Sequence, residues 1–215
     1  MPVDAPVYPV NLVLRGRRVL VVGGGRVATQ KVQGLLDADA QVHLVAPELD
    51  AELAELAERD ERVSWDVRPY RTGEAAEHRL VVTATGDPTV DGAVFADADA
   101  AGVWVNSADD PEHCTFTLPA RVRRGPLLVT VSTSGESPAL ATWLRGRFED
   151  ELGPEYETLL GLLAEERRAV RAAGRRTETL DWQGALDSGM LDLIREGRIT
   201  EAKERLQACL SSSSA

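Results

Sequence analysis

The sequence predicts an α/β protein: a Rossmann-like doubly wound parallel sheet, followed by a small antiparallel strand and helix region and a C-terminal helical region. Three observations lead to this prediction. Short β-branched runs alternate with Ala- and Leu-rich helical stretches over about the first hundred residues. Two strand-like runs then flank Gly125-Pro126 with no helix between them. Beyond Pro154, helical stretches follow one another, separated by short joints that contain glycine.

The first strand–helix–strand unit is the clearest element. Residues 18–22 form a β-branched run, residues 23–25 are three glycines, and apolar residues at helical spacing continue over residues 27–40. A second strand-like run occupies residues 41–46. This order predicts two parallel strands joined by a right-handed crossover.

The same rhythm continues along the chain. We predict helices at residues 49–59 and 88–101. We predict strands at residues 62–67, 80–84 and 102–106. Two further strands, which should pair antiparallel because no helix separates them, are predicted at 114–124 and 127–132. Helices are then predicted at residues 138–150, 155–173, 177–188, 190–196 and 200–210.

The composition limits the class of protein. The chain has 215 residues, 43% of them hydrophobic, and a formal net charge of −11. The acidic balance disfavours a general nucleic-acid or anionic-membrane surface. No apolar run approaches the roughly 20 residues of a membrane span, and residues 1–11 lack the basic start of a secretory signal. Two distant cysteines make no disulfide framework. We therefore expect a cytoplasmic protein with no nucleic-acid or membrane partner.

The glycine-rich turn after the first strand indicates nucleotide binding. Gly23 permits a tight turn, Gly25 lets a pyrophosphate approach the backbone, and Ala28 lets the helix pack closely on the strand. The N-terminus of that helix offers free N–H groups to the phosphate. A purely structural tight turn is the alternative. The candidate phosphate-binding residues are Gly23, Gly24, Gly25, Arg26, Val27 and Ala28.

The rest of the expected dinucleotide site lies at the ends of later strands. Pro47 and Glu48 follow the second strand, where an acid usually binds the ribose. Glu48 either does this or simply starts the next helix. No Lys or Arg stands at residues 46–50, which favours NAD over NADP, although Arg26 weakens that preference. Thr85 and Asn106 complete the set of candidate cofactor contacts.

Two acids follow the fifth strand, at the edge where ligands of such sheets bind. Asp109 and Asp110 precede Pro111, a pattern that is also common in turns and helix caps. Adjacent carboxylates repel each other, so the pKa of one of them is expected to rise towards a range useful for proton transfer.

The region after Asp110 carries hydroxyl and basic side chains. Ser137-Pro138 is a typical helix start, and the hydroxyls of residues 132–137 form either an ordinary cap or a cradle for an anion. Basic residues concentrate nearby and are either solvated or face an anionic ligand: Arg121, Arg123, Arg124, Arg145 and Arg147.

Four segments in this order resemble one family. Residues 8–14 read YPVNLVL, residues 19–28 read VLVVGGGRVA, residues 105–111 read VNSADDP and residues 124–141 read RGPLLVTVSTSGESPALA. Together they are similar to precorrin-2 dehydrogenase, the N-terminal module of sirohaem synthase that also occurs as a free-standing enzyme. The resemblance covers about residues 8–151, and the helical remainder matches only in general character.

The resemblance implies an activity and a set of site residues. It implies oxidation of precorrin-2 to sirohydrochlorin with hydride transfer to NAD, in a homodimer built by the region after the Rossmann domain. The family's catalytic Asp falls on Asp109, its contacts after the second strand fall on Pro47 and Glu48, and a serine of some members is Thr133 here. The octacarboxylate substrate needs local positive charge and hydroxyl groups, for which the candidates are Arg121, Arg123, Arg124, Thr133, Ser134, Ser137 and Arg145.

The resemblance also implies a domain organisation and a possible second activity. Some family members insert Fe²⁺ or Co²⁺ into sirohydrochlorin, so the metal would be a substrate; three scattered histidines indicate no permanent metal site. The expected domains are an NAD-binding domain over residues 1–113, a dimerisation and substrate-binding region over 114–150, a helical domain over 151–210 and a disordered tail over 211–215. Two alternatives stay open: a regulatory NAD-binding module without chemistry, and a tetrapyrrole metallochelatase only.

Overall fold

The computed structural model describes residues 6–108 and 110–212. The chain divides into two compact units, the first ending at Leu118 and the second beginning at Pro119. Each unit has a hydrophobic core of its own.

The first unit is a five-stranded parallel sheet flanked by helices. Its strands and helices are β1 (Arg18–Val22), α1 (Arg26–Leu36), β2 (Gln41–Ala46), α2 (Ala51–Arg59), β3 (Val63–Val67), β4 (Leu80–Thr83), α3 (Pro88–Ala100) and β5 (Trp104–Ser107). The strand order is β3-β2-β1-β4-β5, and every neighbouring pair is parallel. The predicted Rossmann-like sheet is therefore confirmed.

Alternate side chains of the central strand enter two separate cores. Val19 and Val21 pack with residues of α1 and α2, while Leu20 and Val22 pack with residues of α3. This is the period-two alternation of a strand that is buried on both faces. The sheet is thus covered by helices on both sides, and the carboxyl ends of β1, β2, β4 and β5 meet at one edge.

The predicted strand at residues 114–124 is shorter than expected. Only its last part is a strand, and the residues from Cys114 to Phe116 instead fasten to the outer edge of β5. Cys114 forms a single bridge with Asn106, and the Thr115 N–H donates to the Val105 carbonyl at 2.8 Å. The first unit therefore extends beyond the expected boundary at residue 113.

The second unit begins with an antiparallel hairpin and a helix. The hairpin consists of β6 (Ala120–Arg124) and β7 (Leu127–Val131), and α4 (Pro138–Glu151) follows it. Gly125 turns the hairpin in the left-handed region, with φ of 54°. The predicted antiparallel pair around Gly125-Pro126 is confirmed.

Four helices complete the second unit around a core of their own: α5 (Glu155–Ala172), α6 (Trp182–Asp187), α7 (Met190–Arg195) and α8 (Ile199–Ser212). The single helix predicted at residues 177–188 is wrong, because Asp181 caps a new helix by accepting from the Gly184 N–H at 2.8 Å. The predicted tail from residue 211 is also wrong in part, since Ser211 belongs to α8. Residues 213–215 lie outside the described residues.

A buried histidine gives the first unit a pH-dependent stability. His78 is 6% exposed, and its Nδ1 lies 2.9 Å from the Glu74 carbonyl oxygen. Burial, the largest cause, lowers the pKa of His78 below its usual value. The unfolded chain therefore takes up a proton near the ordinary histidine pKa of about 6.5, while the folded chain does not. Stability must fall as the pH drops below that value, until the folded pKa is reached.

We expect the melting temperature to fall between about pH 7 and about pH 5, with a flatter profile for His78→Gln. Carboxylates that pair with cations change the stability only at lower pH, because their pKa values are lowered. The Arg62 guanidinium, for example, holds the pKa of Asp60 at about 2. Thermal unfolding followed by circular dichroism at several pH values measures the slope. An identical slope in both proteins would show that His78 is not its source.

Candidate functional site

Two glycines at the carboxyl end of β1 are required by close backbone contacts. Gly23 has φ of 121°, and a Cβ there would collide with the Ala84 carbonyl of the turn after β4. A Cβ on Gly24 would collide with the Glu48 carbonyl of the turn after β2. The tight turn predicted at Gly23 is confirmed, and the three strand-end turns form one packed cluster.

The third glycine is required by no contact among the described residues. Gly25 is exposed, its φ of −90° suits any residue, and a Cβ built on it meets no atom of residues 6–108 and 110–212 within 4 Å. It is the N-cap of α1 and supplies no side-chain cap. The first N–H groups of α1, those of Arg26, Val27 and Ala28, have no partner within the helix. This open, uncapped helix start fits a phosphate group.

The turn after β2 places one exposed acid beside this helix start. Pro47 and Glu48 are both exposed. Asp50 is already engaged, because its carboxylate accepts from the Leu53 N–H at 2.8 Å and from the Thr29 hydroxyl at 3.1 Å. Asp50 is used as a cap, whereas the carboxylate of Glu48 is not. Glu48 is therefore the acid of this turn that fits a ribose diol.

Thr85 and Asn106 stand at the ends of β4 and β5. The Thr85 hydroxyl donates to Asp91 at 2.7 Å. The Asn106 amide Nδ2 donates to the Phe116 carbonyl at 3.1 Å, which ties the chain after β5 to that strand. The Oδ1 of Asn106 is buried and has no hydrogen-bond partner among the described residues.

The acidic pair after β5 is only half described. Asp109 lies outside the described residues. Asp110 accepts from the Glu112 N–H and pairs with the His113 ring, whose Nδ1 lies 2.7 Å from Oδ2. The His113 hydrogen bond holds the pKa of Asp110 below its ordinary value. Asp110 is therefore not the member of the pair whose pKa rises, so that expectation rests on Asp109 as a prediction.

The arginines of the hairpin differ in their engagement. Arg121 and Arg123 are exposed, two residues apart on one face of β6, and the intervening Val122 is buried. Arg124 reaches the C-terminal end of α4, where its Nε donates to the Leu152 carbonyl at 2.5 Å and its Nη2 to the Glu149 carbonyl at 3.0 Å. Arg121 and Arg123 are free to face a ligand, whereas Arg124 already has a structural role.

The hydroxyl-rich loop before α4 is held by its own side chains. The Thr133 hydroxyl accepts from the Ser137 N–H at 3.2 Å, and the Ser137 hydroxyl caps α4 by accepting from the Leu140 N–H at 3.2 Å. Ser134 has φ of 52° in the left-handed region. Each accepting hydroxyl keeps its own hydrogen for donation, so the loop is able to bind a carboxylate.

Helix α4 exposes large apolar side chains beside its basic ones. Leu140, Trp143 and Phe148 are 47%, 56% and 37% exposed, respectively. The Arg147 guanidinium lies 5.1 Å from the centre of the Trp143 ring, and Arg145 is exposed. Such a surface is typical of an interface with another protein chain.

The described residues contain neither a cluster of metal-binding side chains nor a membrane-spanning helix. No group of three or more His, Cys, Asp or Glu side chains among residues 6–108 and 110–212 is arranged to hold a metal ion. Within the same part of the chain, every helix is too short or too polar to cross a bilayer.

Sequence reasoning missed two acids that shape the edge of the sheet. Asp50 caps α2 and also binds α1 through Thr29. Asp91 lies in α3 one turn before the buried Val94 and two turns before the buried Ala98, and it is itself 6% exposed. An acid on the apolar stripe of a helix is the signal that would have indicated a buried carboxylate.

Two family models match the chain. Residues 10–120 match a family described as putative NAD(P)-binding. Residues 124–151 match the central region of a sirohaem biosynthesis protein. The two matches follow the division into a Rossmann-like unit and a hairpin-containing unit.

Curated relatives and a solved structure agree with these matches. The siroheme synthase of Azotobacter vinelandii is 38% identical over 200 residues, covering 92% of this chain and 43% of the relative. That of Nitrosococcus oceani is 37% identical over 204 residues, covering 94% and 43%. The chain thus spans less than half the length of these relatives. The structure of SirC, a precorrin-2 dehydrogenase, is 26% identical with a TM-score of 0.75, covering 94% of this chain and all of that one. The resemblance inferred from the sequence is confirmed.

Proposed function

Because this chain belongs to the putative NAD(P)-binding family, we propose that it is an NAD-dependent precorrin-2 dehydrogenase that makes sirohydrochlorin for sirohaem or cobalamin biosynthesis. The observation that carries the proposal is the open space beside the Cα of Gly25, at the uncapped start of α1. A phosphate in that space accepts hydrogen bonds from the free N–H groups of Arg26, Val27 and Ala28. The likeness to SirC, a precorrin-2 dehydrogenase, supports the choice of substrate.

The turn after β2 favours NAD as the form of the cofactor. Glu48 is exposed and its carboxylate is not used as a helix cap. The carboxylate is therefore available to accept hydrogen bonds from the hydroxyls of the adenosine ribose. Its negative charge repels the 2′-phosphate of NADP. Pro47 lies beside Glu48 on the same exposed turn. Thr85 and Asn106 border the cofactor at the ends of β4 and β5. When bound, NAD⁺ accepts the hydride that the substrate loses.

Asp109 is the proposed general base. The oxidation removes one hydride and one proton from the macrocycle, and the Asp109 carboxylate takes up the ring proton. Its neighbour Asp110 is occupied by His113, which leaves the proton-accepting role to Asp109. Metal insertion into sirohydrochlorin would also release pyrrole protons, so the same carboxylate suits that step if the chain performs it, with Fe²⁺ or Co²⁺ as the substrate.

The second unit supplies recognition of the polycarboxylate. Precorrin-2 carries eight carboxylates and the chain a net charge of −11, so binding requires positive charge within roughly 8–10 Å, the physiological screening length. Arg121, Arg123 and Arg145 provide it, and the hydroxyls of Thr133, Ser134 and Ser137 donate to further carboxylates. The exposed apolar residues of α4 support a homodimer, and we place the protein in the cytoplasm.

Replacing Arg121 and Arg123 together by Ala is expected to raise the KM for precorrin-2 and to flatten its dependence on salt, with the melting temperature unchanged. Arg124→Ala should instead lower stability by about 1–3 kcal/mol, because the Leu152 and Glu149 carbonyls lose a charged donor. Steady-state kinetics at several salt concentrations, with thermal unfolding of each variant, separates the two roles. An unchanged KM and salt dependence in the double variant would remove both arginines from the substrate site.

The test of the proposed function is turnover of precorrin-2 with NAD⁺, followed by the absorbance of sirohydrochlorin, with and without Fe²⁺ or Co²⁺. Formation of sirohydrochlorin in the absence of metal supports dehydrogenation. NAD⁺ binding without turnover would favour the regulatory module. Metal insertion into sirohydrochlorin by a protein that binds no NAD⁺ would favour a chelatase only.

A further inference from the structure

A buried carboxylate stands beside the glycine turn and takes no part in the proposed reaction. Asp91 lies in the first turn of α3, and only 6% of the residue is exposed. Its Oδ1 accepts from the hydroxyl of Thr83 and, at 2.7 Å, from the hydroxyl of Thr85. A carboxylate withdrawn from water is costly unless polar groups satisfy it, so this arrangement constrains the atoms that donate to it.

The two hydroxyls belong to the chain segment that forms one wall of the glycine turn. Thr83 is the last residue of β4, Thr85 is two residues on, and Ala84 stands between them. A Cβ on Gly23 would collide with the Ala84 carbonyl. The backbone nitrogen of Thr85 would lie 3.1 Å from that Cβ. Fixing Thr83 and Thr85 therefore fixes the wall that Gly23 packs against.

The same segment continues into the start of α3. The Thr85 hydroxyl also accepts from the Asp87 N–H at 3.0 Å, and Asp87 caps α3 by accepting from the Thr89 N–H at 2.8 Å. Asp91 thus ties the end of β4, the following turn and the helix to one carboxylate. Loss of that carboxylate leaves the Thr85 hydroxyl with only the Asp87 backbone as its partner, so the turn is no longer tied to the Asp91 side chain and is able to shift.

We propose that Asp91 is a positioning residue that sets the affinity for NAD⁺ by holding Thr83 and Thr85 against the glycine turn. The inference rests on the proposed function, since it assigns a further residue to the dinucleotide site. Asp91 does not touch the cofactor itself; it acts through the two threonines.

The experiment is calorimetric titration of the full chain with NAD⁺, together with thermal unfolding. Asp91→Ala should weaken NAD⁺ binding roughly tenfold, and Thr83→Val, which removes one of the two donors without a change of shape, by about threefold. Asp91→Asn should stay within about twofold of the unaltered protein, because its amide oxygen accepts both hydroxyls. The KM for precorrin-2 should be unchanged in all three.

Asp97→Ala is the matched control. Asp97 also lies in α3 and accepts two hydrogen bonds, from the Tyr70 hydroxyl at 2.8 Å and the Gly73 N–H at 2.6 Å, at the end of the helix away from the glycine turn. It should lower the melting temperature and leave NAD⁺ affinity unchanged. A purely structural role for Asp91 predicts no such difference between the two variants.

Three results would overturn the inference. One is NAD⁺ binding by Asp91→Ala and Thr83→Val as tight as that of the unaltered protein; should Asp91→Ala fail to fold, the result for Thr83→Val decides. Another is an equal loss of affinity in Asp97→Ala. The third is failure of the unaltered protein to bind NAD⁺ at all, which would refute the proposed function and this inference together, whereas the first two leave the proposed function intact.

Discussion

Asp109→Asn should bind NAD⁺ with unchanged affinity and lose dehydrogenation of precorrin-2. The amide has nearly the shape of the carboxylate but cannot accept the ring proton, and loss of a general base lowers turnover by roughly 10²–10⁴-fold. Titration with NAD⁺ measures the first quantity, and the rate of sirohydrochlorin formation measures kcat. The loss should appear in kcat rather than in the KM for NAD⁺.

The neighbouring acid is the control for this prediction. Asp110→Asn removes a carboxylate of the same type one residue away, and in the protein Asp110 pairs with His113 and caps a short helical turn. We expect it to lower the melting temperature only slightly and to keep most of the turnover. Retained turnover in Asp109→Asn, or an equal loss in Asp110→Asn, would contradict the role assigned to Asp109.

The parallel sheet was predictable because each of its signals is local. The β-branched run, the glycines and the helical spacing of residues 18–46 all concern neighbours in sequence, and the observed β1 and β2 have the predicted bounds. Gly24 shows the limit. Its lack of a Cβ is required by the Glu48 carbonyl, a contact between two turns that no local pattern contains.

The hairpin region shows the same limit for side chains. The sequence grouped Arg121, Arg123 and Arg124 as one basic cluster. The alternation of the strand separates them, since Arg124 lies on the same side as the buried Val122 and reaches the end of α4. The position of a helix end in space, and the cation that lies near enough to cap it, are determined by tertiary packing. The spacing of residues in the sequence does not specify that packing.

Gly25→Val should abolish measurable NAD⁺ binding while the protein keeps its fold. The backbone of Gly25 suits a branched residue, and a Cβ there meets no atom of the described part of the chain within 4 Å, so the melting temperature should be unchanged. The added methyl groups occupy the space through which a pyrophosphate approaches the first N–H groups of α1. We expect NAD⁺ affinity to fall on the order of a hundredfold, or about 2.7 kcal/mol.

Gly24→Ala is the contrasting variant, one residue earlier. Its single methyl group collides with the Glu48 carbonyl, so the strand-end turns must separate, and stability should fall by about 1–3 kcal/mol. Calorimetric titration with NAD⁺ and thermal unfolding of both variants distinguish a glycine required by the ligand from one required by the fold. If Gly25→Val bound NAD⁺ normally, or if it unfolded as readily as Gly24→Ala, the phosphate would not lie at the start of α1. The dehydrogenase assignment would then lose the observation on which it depends, because the hydride acceptor would have no site at the edge of the sheet where Asp109 follows β5.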